Sequence, residues 1–153
     1  MLMSILKGVA AGAAGTTALN ATTYLDVTVR ARPTSSTPED TVEKLAEISH
    51  IDIPGEGEER DNRVAGLGTL SGITTGVGIG ALLGLSRALG WRPPVALGVV
   101  AATVLALVGA NGPMAALGIS DPRTWSPQDW AADVVPHLAY GLVTAATLDG
   151  LDS

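Results

Sequence analysis

Val64–Leu89 reads VAGLGTLSGITTGVGIGALLGLSRAL, and five of its glycines, Gly68, Gly72, Gly76, Gly80 and Gly84, fall four residues apart. In water each glycine costs a helix about 0.8–1 kcal/mol relative to alanine. The row would make a weak soluble helix. In a bilayer the balance reverses: lipid already solvates apolar side chains, so helices gain by close backbone approach, which small residues permit. The stretch is therefore expected to be a transmembrane helix whose glycine groove another helix fills.

Composition agrees. The chain is 46% hydrophobic but only 3% aromatic, with no Phe and a mean hydropathy of +0.34. A soluble helical core needs large side chains, and faces of Ala, Gly and Val leave little volume to pack. The length of 153 residues suits one domain. Net charge is -6, with most of the acid between Glu39 and Asp61. No basic patch suited to nucleic acid is present. The absence of cysteine excludes disulfides and thiolate metal sites.

Upstream, MLMSILK leads into GVAAGAAGTTALNATTYLDV. A signal peptide would also begin with a lysine and an apolar run. This run is long and weakly hydrophobic, carries Asn20, and has no clean small-x-small cleavage site. It reads better as a first membrane helix over 4–29, long enough to cross a core of about 30 Å. Gly8, Gly12, Thr16 and Asn20 share one i,i+4 row. That row should face protein, with the glycine groove of the second helix as partner.

Residues 30–63 are polar. Thr37 is the expected N-cap of a short amphipathic helix, with Pro38 at its first position and Glu39 and Asp40 in its first turn. Val42, Leu45 and Ile48 recur every three residues, and the helix should end near His50. It should lie on the membrane surface or cap the bundle. IDIPGEGEERDN follows as an acidic loop. Glu56, Glu58, Glu59 and Asp61 lack the spacing of a calcium loop. They read as solvated charge, and no metal is assigned.

The second helix, over 64–89, ends with Arg87, Trp91 and Arg92, a cation and aromatic group suited to headgroups. Pro93 and Pro94 turn the chain into VALGVVAATVLALVGA, its most hydrophobic run. The third span covers 94–119 if the helix kinks at Asn111-Gly112-Pro113 and continues. The alternative is an end near Ala110. SDPRTWSPQD is a turn, and Ser126 and Pro127 open a last helix over 127–151. Trp130 should anchor an interface, while Tyr140 lies mid-span. Asp149 and Asp152 read as solvated, and Asp26 pairs with Arg30 at i,i+4. The fold expected is all-α: a single membrane domain, 1–153, of four transmembrane helices with a short amphipathic helix in the first loop. The cation excess on the long-loop side favours that side as cytoplasmic.

Four polar residues sit inside the spans: Asn20, Asn111, Asp133 and His137. Asp133 and His137 are an i,i+4 pair, with Pro136 between them. Intramembrane ionisable groups suggest proton relay or substrate contact. The plainer reading puts Asp133 at headgroup level and has His137 hydrogen-bonding to another helix. Either Asn20 or Asn111 could pair with His137 across the bundle; the plainer reading has these amides satisfy one another or the kinked backbone. GVGIGALLG has no preceding strand, so it is no dinucleotide fingerprint. The sequence carries no Walker loop, HExxH or GxSxG. No catalytic activity and no cofactor are expected.

The stretch LGISDPRTWSPQDWAADVVPHLAYGLVTA resembles the last helix region of the YagU-like proteins, uncharacterised bacterial inner-membrane proteins. The matching positions are Leu117, Gly118, Pro122, Trp125, His137, Leu138 and Gly141. Pro136 stands where that family has glycine, and the acidic loop has no counterpart. The N-terminal GVAAGAAGTTALNATTYLD also looks like small actinobacterial membrane proteins of unknown role. The resemblance implies a multi-pass protein of the bacterial plasma (inner) membrane and supplies no activity.

Packing signals therefore outnumber chemical ones. The expected role is structural or accessory, with the groove holding the first helix or a second copy. The alternative is an oligomeric transporter or proton-coupled permeation protein using Asp133 and His137. The partners expected are the lipid bilayer and either a homo-oligomer or another membrane protein.

Overall fold

A computed structural model describes residues 1–152, and all of its regular structure is helical. The helices are α1 (Leu2–Arg30), α2 (Thr37–Ser49), α3 (Gly57–Ala88), α4 (Val95–Ala116) and α5 (Pro127–Asp152), with one 3-10 turn at Pro122–Thr124. Four of them, α1, α3, α4 and α5, are long and apolar enough to cross a membrane. They form an up-down bundle in which α1 packs on α3 and α5, and α4 packs on α5 and α3.

The contact between α1 and α3 is made by backbone. A Cβ added at Gly12 would lie 3.0 Å from Gly80 Cα, and one at Gly8 would lie 2.9 Å from Gly84 Cα. Added at Gly80, it would stand 2.5 Å from Gly12 Cα. Thr16 extends the row, its hydroxyl seated against Gly76 and bonded back to the Gly12 carbonyl. The groove is thus filled within the chain by α1.

Three expected members do not join that contact. Gly72 is exposed with nothing near its absent side chain, and Gly68 packs instead on α2, against Pro38 and Glu39. Asn20 is exposed. The reason is helical geometry: at 3.6 residues per turn an i,i+4 row rotates around the helix by about 40° per step. A row meets one neighbour for three members and then drifts away from it.

A neighbouring face of α1, about 60° round the helix from Gly12, meets α5. Gly15 lies under the Tyr140 ring, where a Cβ would come within 2.9 Å of ring carbon Cδ2. Tyr140 is fully buried, and its hydroxyl donates to the Gly76 carbonyl at 2.7 Å. One side chain therefore ties α5 to α3 where α1 crosses both. Gly141 makes a third close approach, its absent side chain 2.8 Å from the Val99 carbonyl of α4.

Charges mark the two ends of the bundle. At one end the Asp152 carboxylate receives Arg87 at 2.8 Å, Lys7 at 3.2 Å and, more distantly, Arg92 at 3.9 Å. This corrects two expectations: Asp152 is not simply solvated, and Arg87 is buried rather than set among headgroups. At the other end Arg30 and Arg32 both clasp Asp26 at 2.7 Å. Lys7 and Asp26 are 19 residues apart, or about 28 Å of helix, which matches a hydrocarbon core of about 30 Å.

Other boundaries shift for identifiable reasons. Helix α3 starts at Gly57, not Val64, because Glu58 and Glu59 favour the helix N-terminus and Glu59 pairs with Arg63. Its first turns project beyond the span, and α2 packs on them, held by Arg60–Glu43 at 2.6 Å. The N-cap of α2 is Ser36 rather than Thr37, without a side-chain cap bond. Leu45 and Ile48 point outward. Helix α4 runs through Pro113 to Ala116. There Gly118, at φ +72°, closes it as the Ile119 amide bonds to the Met114 carbonyl.

Candidate functional site at one end of the bundle

Asn111, Asp133 and His137, three of the four polar residues read from the sequence, come together between α4 and α5. The antiparallel pairing of these helices brings the end of α4 beside the start of α5. The capping box of α5 fixes that start: Ser126 Oγ accepts from the Asp129 amide at 3.2 Å, and the Asp129 carboxylate accepts from the Ser126 amide at 3.0 Å. Trp125 and Trp130 meet edge to face with centroids 5.1 Å apart. The Trp125 indole donates to Ser120 Oγ at 2.9 Å. In the same turn Arg123 hydrogen-bonds to Asp121 and holds its carboxyl below the usual carboxylate range.

Asn111 Nδ2 donates to Asp133 Oδ2 at 2.8 Å. This bond ties the proline-containing end of α4 to α5. His137 Nδ1 lies 2.7 Å from the Asp133 backbone carbonyl and 3.4 Å from the Asp133 carboxylate. A carbonyl only accepts, so the short contact puts a proton on Nδ1 and leaves Nε2 as the acceptor in the neutral ring. His137 is 8% exposed. Its bond is to its own helix, whereas the sequence suggested one to another helix.

Depth follows from counting. Asp133 lies 19 residues before Asp152, so it sits at the same level as Asp26, at the boundary of the apolar slab. His137 lies one turn, about 6 Å, farther in. A carboxylate at the boundary and an imidazole just below it can pass a proton.

Asn20 does not belong to this group, being on the outer face of α1. A separate cleft of about 260 Å³ opens between α1 and α5 at the same end, lined by Thr22, Asp26, Arg30, Gln128 and Pro136. Neither Asp133 nor His137 lines it. Among the described residues no three His, Cys, Asp or Glu side chains are placed to hold a metal. Gly15 was not singled out in the sequence, and Tyr140 and Gly141 were given no packing role there. Gly15 stands three residues from Gly12, about 60° round the helix, which marks a second small face on α1.

Comparison with family models, with curated proteins and with solved structures returned no match to the chain.

Proposed function

We propose that the chain is a structural or accessory component of the bacterial plasma membrane, without catalytic activity, whose fold is held by the α1–α3 glycine contact. The observation that carries this reading is how the bundle interior is occupied. Glycine backbones, Tyr140 and the buried threonines Thr16, Thr103 and Thr144 fill the middle of the slab, and the charged groups are gathered toward its two ends. The likeness of Leu117–Ala145 to YagU-like proteins supports the same location. The cation distribution supports an orientation: Arg30, Arg32, Arg60, Arg63 and Arg123 lie at the end that carries α2, with Lys7, Arg87 and Arg92 at the other, so the α2 end is cytoplasmic.

A second reading rests on one specific arrangement, the Asn111–Asp133–His137 group. In an oligomer it could line a proton-coupled path. Purified protein in liposomes separates the two readings. A structural component leaves proton leak at the level of protein-free liposomes, and His137→Ala changes nothing. A leak that the chain creates and His137→Ala abolishes overturns the structural reading in favour of permeation.

A further inference from the structure

We propose that the outer face of α1 is the contact surface for a second copy of this chain, centred on Asn20. The inference rests on the membrane reading and uses a surface other than the glycine groove, which α1 already occupies.

The observation is an amide in the wrong solvent. Asn20 is exposed and makes no hydrogen bond among the described residues. It lies six residues inside Asp26, about 9 Å below the boundary of the apolar slab. Water cannot reach it there from the bilayer side, and a buried amide without partners is strongly disfavoured. Thr17, one turn away, resolves the same problem internally by bonding to the Ala13 carbonyl at 2.9 Å. The Asn20 amide has no such solution in this structure.

Asn20 belongs to a row of small and polar residues spaced for a helix contact. Leu6, Ala10, Ala13, Thr17, Asn20 and Tyr24 are all exposed and alternate in steps of four and three. That 3.5-residue repeat is the seam of a helix pair. The outer face of α4, by contrast, carries Val100, Val104, Leu105 and Val108, side chains that lipid covers well. A second copy is the occupant that the chemistry selects. An asparagine amide holds one acceptor and two donors. Two of them across a twofold axis exchange reciprocal hydrogen bonds, as an isologous interface requires.

The chain has no cysteine, so single thiols can be placed cleanly. Thr17→Cys on the row and Val104→Cys on α4 are compared by thiol crosslinking in intact membranes. The expected result is a covalent dimer from Thr17→Cys and none from Val104→Cys. Adding Asn20→Leu to Thr17→Cys should lower dimer yield roughly tenfold, and Asn20→Gln should retain most of it. Equal crosslinking at both sites, or a yield indifferent to Asn20→Leu, overturns the inference. Alkaline extraction of the membranes separates the two levels. A chain that washes out overturns the membrane reading and this inference together. A chain that stays integral yet is never crosslinked at Thr17→Cys overturns this inference alone.

Discussion

Tyr140 bonds to a carbonyl that already serves a helix. Its hydroxyl reaches Gly76, and its ring covers Gly15. In Tyr140→Phe the ring keeps its place and the interhelical bond goes. Such bonds within membranes average about 0.6 kcal/mol, so a melt in detergent should fall by only a few degrees. Gly15→Leu should be far more harmful, because the ring cannot move away without leaving α3. Asp152 has a heavier role, since Arg87 is buried against it. Asp152→Asn leaves a buried cation without its counter-charge, a change worth about 3 kcal/mol. The expected readout is a lower melting temperature and faster proteolysis of the last turn of α5, while Asp149→Asn at an exposed position has no effect.

The helices themselves were largely readable, because apolar runs of this length have few other solutions. Their faces were less so. Gly8, Gly12, Thr16, Gly76, Gly80 and Gly84 behave as their spacing implies. Gly68, Gly72 and Asn20 continue the same rows and miss the contact, because straight helices rotate a four-residue row away from its partner. The polar group was readable as to Asn111, Asp133 and His137, since buried polar groups seek one another. What paired with Asp152 was not, because nothing local connects position 152 with Lys7 or Arg87. Helix α2 has its own test. Its firmest tie to α3 beyond the Gly68 contact is Arg60–Glu43. Exposed pairs contribute about 0–1 kcal/mol, so Arg60→Ala should raise amide exchange in α2 and leave the melting of the bundle unchanged.

At the scale of the molecule, the lengths agree with one another. From Lys7 to Asp26 on α1, and from Asp152 to Asp133 on α5, the chain measures the same 19 residues between polar ends. Between those ends the outer surface carries Leu, Ile and Val, with Ala and Thr on α1 and Gly, Ser and Thr on α3. The interior is small enough for backbones to touch. A molecule built this way has its solvent outside and its specificity in missing side chains. Two substitutions of the same kind, on the same helix and two turns apart, test this most directly. The melting temperatures of Gly80→Leu and Gly72→Leu are to be compared in one detergent. At position 80 the new side chain meets the backbone of α1, and overpacking of this kind costs about 3 kcal/mol or more, enough to lower the melt by roughly 5–10 °C. At position 72 it meets nothing. The account predicts a large loss for the first and none for the second; equal effects, in either direction, contradict it.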